Sequence, residues 1–90
     1  MSKKKKIEIY TGSFCPYCVR AKELLKRKGI DFTEINVDND LERQKMIDRA
    51  GGLVRSIPQI FVDDELLVGG CDGLYERERK GELDEILGLK

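Results

Sequence analysis

The sequence predicts a single α/β domain built on one mixed four-stranded sheet flanked by helices, in the order β-α-β-α-β-β-α-α. Three observations predict it. The chain has 90 residues, which leaves room for one small domain where a typical one takes about 100 to 200. Apolar residues alternate with polar ones in some segments and recur at helical spacing in others, and the two kinds of segment take turns along the chain. A tight turn, Asp63-Asp64-Glu65, joins the last two strand-like segments, whereas helices separate the earlier ones. Helical crossovers let the first two strands run parallel, and a tight turn makes the last pair antiparallel. The domain is expected to fill residues 1–90, with 1–5 as a frayed tail.

Lys6 to Thr11 alternates Ile7 and Ile9 with Glu8 and Tyr10, and its β-branched and aromatic residues favour a strand. Gly12-Ser13-Phe14 breaks that pattern. From Pro16 the period changes: Cys18, Ala21 and Leu25 fall at i, i+3 and i+7, with Leu24 widening the stripe, so a helix begins there. Pro16 suits a first helical turn, where no backbone N–H is missed, and Gly29 stands where such a helix stops, with Ile30 beyond. Ile30 to Val37 reads as the second strand through Phe32, Ile35 and Val37, although alternation slips at Thr33-Glu34.

Asp38-Asn39-Asp40 supplies three candidate N-caps for a second helix whose face is Met46, Ile47 and Ala50, and Gly51-Gly52 ends it. Ile57 to Val62 is the third strand, and Leu66-Leu67-Val68 follows the turn as the fourth. Pro58, so early in its strand, favours a first or unpaired backbone position. After Gly69-Gly70, Asp72 is the expected cap of a short helix carrying Leu74 and Tyr75, while Leu83, Ile86 and Leu87 mark a last one.

Composition closes several function classes. Lys plus Arg and Asp plus Glu number 17 each, for zero net charge, so the excess of basic residues that nucleic-acid binding needs is missing. The chain has no His, which removes Ser-His and Cys-His nucleophile pairs and His-ligated metals. Three Cys are too few and too odd in number for a disulfide-stapled secreted scaffold, so a reducing, cytoplasmic setting is expected. Lys3 to Lys6 resembles the positive start of a signal peptide, but Ile7-Glu8-Ile9-Tyr10 stands where its apolar region belongs. No segment reaches the roughly 20 apolar residues of a membrane span. A terminal Lys run reads best as a solvated end, and Arg20, Lys22, Lys26, Arg27 and Lys28 as the outer face of the first helix.

The chemistry concentrates in Cys15-Pro16-Tyr17-Cys18, placed where a strand ends and a helix begins. A thiol at a helix N-terminus faces unpaired N–H groups and the positive end of the helix dipole, both of which favour the thiolate. Cys15 holds that place. Cys18 lies one turn inside, near enough to attack a mixed disulfide on Cys15, while burial keeps its own proton on. The pair can then cycle between dithiol and disulfide, with Tyr17 as a wall of a substrate groove. A C-x-x-C is also half of a zinc site, but only Cys71 remains to complete it. Cys71 itself is open to two readings, a small buried hydrophobe or a substrate contact beside Gly69-Gly70 and a helix start able to hold an anion.

These blocks together, Tyr10-Thr11, Cys15-Pro16-Tyr17-Cys18, Ser56-Ile57-Pro58-Gln59-Ile60-Phe61 and Gly69-Gly70-Cys71-Asp72, closely resemble the dithiol glutaredoxins, particularly the short bacterial ones, from about Ile7 to Leu89. The resemblance implies a thioredoxin fold and glutathione-dependent reduction of protein disulfides and glutathionylated proteins. It implies Cys15 as nucleophile and Cys18 as resolving thiol, forming the redox disulfide. It also implies a cis bond between Ile57 and Pro58, with the Ile57 backbone pairing to the glutathione cysteine. Tyr17, Ser56, Gly70, Cys71 and Asp72 complete the implied glutathione groove, with Asp72 near the γ-glutamyl end. Glutathione would be a co-substrate; no tightly bound cofactor, no metal and no obligate second subunit are implied.

Three positions depart from that family. Gly12 stands where a Lys is common, one that helps bind a glutathione carboxylate. Ser56 replaces a frequent Thr, and Gly73 replaces a frequent Asp or Ser. The first and third keep alive a redoxin of the same fold reduced by thioredoxin reductase. A different alternative is a dimer bridging an iron–sulfur cluster through Cys15, which the stiff Pro16 disfavours. Thioredoxin itself fits worse, since it carries C-G-P-C after a Trp and this chain has no Trp.

Overall fold

A computed structural model describes residues 5–52 and 55–89. Apart from Lys5, the expected frayed tail lies outside the described residues. The elements run β1 (Ile7–Thr11), α1 (Pro16–Arg27), β2 (Thr33–Asn36), α2 (Asp40–Arg49), β3 (Gln59–Val62), β4 (Glu65–Leu67), α3 (Gly70–Arg79) and α4 (Leu83–Ile86), the expected order. The strands form one sheet in the order β2-β1-β3-β4, with β1 parallel to β2 and the other two pairs antiparallel.

Strand alternation sorts the core onto the two faces of this sheet. Ile7 and Ile9 pair in register with Val62 and Ile60, and Ile60 with Leu67; all five join Leu24, Leu25, Leu74, Leu83 and Leu87 beneath α1, α3 and α4. On the opposite face Tyr10, Phe61 and Val37 pack with Met46 and Ile47 of α2. Glu8, facing that side, is buried but bonded to Arg49 at 2.7 Å, and Arg49 also lies 4.2 Å from the Phe61 ring centre. Among the described residues no helix is long and apolar enough to cross a membrane.

Helix ends follow the glycines. Gly29 and Ile30 N–H groups bond back to Lys26 and Leu25 carbonyls, and Gly51 and Gly52 repeat the pattern on Asp48 and Ile47. Positive φ at Gly29 and Gly51 makes both a left-handed helix stop. Asn39 wins the capping of α2, its side chain accepting from Leu41 and Glu42 N–H.

Four expectations need correction. The second strand begins only at Thr33, because β1 offers partners from Glu8↔Thr33 onward and Ile30 to Phe32 have none in register. The third begins at Gln59, with Pro58 just outside it. The fourth runs Glu65–Leu67, one residue earlier than expected, because Glu65 pairs opposite Val62. Asp72 is not a cap: α3 starts two residues earlier, Gly69 takes the cap position at φ 104°, and Asp72 sits inside the first turn.

Sheet register is what assembles the site. Tyr10 lies opposite Gln59, so the residues leaving β1 meet those entering antiparallel β3. The exit of β4 returns to the same edge, because Leu67 lies opposite Ile60. Tyr17, two residues past Cys15, therefore shares one groove with Pro58 and Gly70 from three distant parts of the chain.

Candidate active site

Cys15 is the N-cap of α1, with extended backbone at φ −116°. Its sulfur accepts the Cys18 N–H at 3.2 Å, so the thiol of one cysteine occupies a free donor of the turn that carries the other. Pro16 fills the first helical position and no acidic residue enters the first turn, leaving the positive end of the helix uncompensated toward the sulfur. Cys15 is partly exposed and Cys18 is buried, and both are free thiols.

Their environments differ as their positions require. Burial, reinforced by a hydrogen bond to Cys15, pushes the Cys18 thiol up to about 12, against the opposing pull of the Gly12 N–H and the Lys22 charge. Cys71 is raised too, through burial, with Arg20 opposing.

The loop before Cys15 is held from β2's end. Asp38 accepts both the Ser13 N–H, at 3.0 Å, and the Ser13 hydroxyl, and these two bonds hold its carboxyl below the ordinary range. Phe14 follows in left-handed backbone at φ 58° with its side chain wholly exposed. Such backbone is costly for an aromatic residue and clusters at functional sites.

Beside this loop lies an open groove of about 390 Å³, and the expected positions meet there. Tyr17 walls it from α1; Ser56, Ile57 and Pro58 form one side; Gly70, Cys71 and Asp72 form the other. The Ile57-Pro58 bond is cis. Gly70, at φ 57°, is so close to Pro58 that a Cβ there would lie 2.9 Å from its carbonyl oxygen. Cys71 is packed in the core and also lines the groove. Asp72 is the single charged residue among the groove's lining residues, none of which is basic.

Three contributors were not singled out from sequence. Gln59 donates its side-chain amide to the Ser56 carbonyl at 2.8 Å and hydroxyl at 3.3 Å, fixing the segment that carries Ile57. A polar residue inside Ile57-Pro58-Gln59-Ile60-Phe61 was the available signal. Leu66 and Val68 add apolar lining. The glycine at 73 also has a structural reason: a Cβ there would lie 2.4 Å from the Val68 carbonyl oxygen, which Arg77 Nη1 binds at 2.9 Å.

Comparison with known proteins agrees with this geometry. The glutaredoxin family model matches residues 7–67. A probable glutaredoxin of Synechocystis sp. is 54% identical over 83 residues, covering 91% of this chain and 92% of its own length. The solution structure of a glutaredoxin from Brucella melitensis superposes with a TM-score of 0.80 at 41% identity, over 98% of this chain and 95% of that one. The crystal structure of a buckwheat glutaredoxin–glutathione complex superposes at 0.78 and 25% identity, over 92% and 76% of the two chains.

Proposed function

The chain belongs to the glutaredoxin family and is a thiol-disulfide oxidoreductase, and from that premise we propose that glutathione is its reductant and that Cys15 and Cys18 are its nucleophilic and resolving thiols. The observation that carries the reading is the asymmetry of the pair: an accessible sulfur at a helix N-cap, bonded to the N–H of a buried thiol one turn away.

In this mechanism the Cys15 thiolate attacks a substrate disulfide, and the Cys15–substrate disulfide forms as the other sulfur leaves with its electron pair and takes up a proton. A glutathionylated substrate leaves glutathione on Cys15, and a second glutathione thiolate then releases it as glutathione disulfide. With a protein disulfide, Cys18 can complete the exchange instead. The groove suits a short peptide: Ile57 and the cis-linked Pro58 line one side, and the first turn of α3 offers N–H groups to a carboxylate on the other. The buckwheat relative of the same fold holds glutathione, which supports the choice of ligand. We read the protein as a monomer working in a reducing cytosol on disulfide-bonded or glutathionylated proteins.

The lack of any basic lining residue favours one second reading, electron supply by thioredoxin reductase. The test follows NADPH oxidation with a small glutathionylated disulfide, once with glutathione and glutathione reductase and once with thioredoxin reductase alone. Turnover in the first system is expected; turnover confined to the second would replace glutathione by the reductase.

A further inference from the structure

When Cys18 resolves a disulfide held on Cys15 it must first give up a proton that burial binds tightly, so some neighbour has to favour its charged form. Two groups do so, the Gly12 N–H and the ammonium of Lys22. Lys22 lies four residues beyond Cys18 on α1, hence on the same helical face one turn on. Its side chain is only 26% exposed, and Nζ is fixed 2.9 Å from Glu34 Oε2 on β2. The same carboxylate oxygen accepts the buried Thr11 hydroxyl at 2.6 Å, and Thr11 is the last residue of β1, directly before Gly12.

Thr11, Glu34 and Lys22 thus form one chain of hydrogen bonds that ties the ammonium to the strand end supplying the Gly12 amide. The Thr11 bond and then the Lys22 bond hold the Glu34 carboxyl below its ordinary range, so the tether stays charged. Lys26 of α1 also acts on Glu34, but only through longer-range attraction and without a hydrogen bond of its own to that carboxylate. Arg20 lies over the Tyr75 ring at 5.3 Å, and Lys28, the C-cap of α1, pairs with Glu78 and Asp84.

We propose that Lys22, held by Glu34, is the counter-charge that readies Cys18 for its attack on a disulfide carried by Cys15. The inference rests on the roles given to the two cysteines above. In the step concerned, the Cys18 thiol loses its proton and its sulfur bonds to Cys15 Sγ. The Cys15–substrate bond breaks, and the departing thiolate keeps the electron pair and takes up the proton. Attack on the original substrate by Cys15, at the N-cap, does not use Lys22.

The experiment mixes the reduced full chain with an aromatic disulfide whose released thiolate is coloured, in a stopped-flow instrument. Attack by Cys15 releases one coloured equivalent, and resolution by Cys18 releases the second. In Lys22→Met the second phase is expected to slow about two- to fourfold while the first is unchanged. The effect is modest because a thiolate that is harder to form is also intrinsically more nucleophilic. Lys22→Arg should restore the rate by restoring the charge, and Lys22→Gln serves if the Met variant folds poorly. An unchanged second phase, equal slowing of both phases, or no rescue by Arg overturns the proposal. Failure of the cysteine roles looks different: the second equivalent would be absent from the unaltered protein, or would persist in Cys18→Ser.

Discussion

Asp38 holds Ser13 twice, through the backbone N–H and through the hydroxyl, and thereby fixes the three-residue loop that delivers Cys15 to its helix. Both groups are exposed, so the pair works by orientation more than by stability. Asp38→Ala is expected to slow Cys15 attack by up to about tenfold, with the melting temperature little changed. Asp38→Asn keeps one acceptor and should lie between the two. Equal single-turnover rates for the three proteins would remove Asp38 from the loop's positioning.

The same carboxylate bears on glutathione. A Cβ at Gly12 would lie 3.1 Å from Asp38 Oδ1 and 2.6 Å from Ile57 Cδ1, the latter a movable side-chain tip. A lysine introduced at position 12 therefore meets Asp38 before it meets a ligand. Gly12→Lys should lower the KM for glutathione by less than about tenfold, the equivalent of roughly 1.4 kcal/mol, and Asp38→Asn in the same chain should enlarge the gain. Steady-state kinetics against glutathione concentration decide this, and a higher KM in the double variant would contradict it.

Cysteine substitutions separate the two thiols. Cys15→Ser should abolish every activity. Cys18→Ser should retain reduction of glutathione mixed disulfides, where external glutathione resolves the intermediate, and lose reduction of protein disulfides that need the second thiol. Parallel assays on the two substrate types read the split; a fully active Cys15→Ser would reverse the assignment.

Gly73→Ala tests the junction of β4 and α3. On helix propensity alone, alanine would stabilise by about 1 kcal/mol. The Val68 carbonyl 2.4 Å from the new Cβ, and Arg77 Nη1 2.8 Å from it, leave no room. Overpacking of this kind costs about 1 to 3 kcal/mol, so the melting temperature should fall. A rise would mean that the backbone yields easily there.

Acid should loosen the contact between α2 and the sheet. The hydrogen bond from Arg49 holds the buried Glu8 carboxyl below its ordinary 4.5. A depressed folded-state value contributes stability that is present above 4.5 and drains away as pH falls through the folded-state value. Glu8→Gln should therefore flatten the acid limb of a stability–pH curve below that point. Identical limbs in both proteins would exclude Glu8 as the source.

The element order and the placing of Cys15 and Cys18 at a helix start were legible because each rests on local signals: period changes, Pro16 at a helix start, and glycines at helix stops. What sequence misplaced depends on pairing across the fold. Ile30 to Phe32 look like strand, but the register of β1 decides that they have no partner. Asp72 looks like a cap, yet the left-handed backbone of Gly69 starts the helix sooner, and a glycine pair advertises no capping side chain. Asp38 was visible only as one of three possible caps. With Asn39 taking that task, its carboxylate is free for Ser13, a contact between residues 25 apart that no local pattern encodes.

The strand order β2-β1-β3-β4 also bears on how the protein is born. Among the described strands, the one made first is an inner one, every residue of it buried in the finished molecule, and the strand that covers its second edge begins only at Gln59. A nascent chain with β1, α1 and β2 in place presents its thiols beside an apolar, unpaired backbone edge, the kind of surface that seeds mispairing between chains. Rapid delivery of Ile57 to Val62 therefore completes one side of the groove and at the same moment seals that open border.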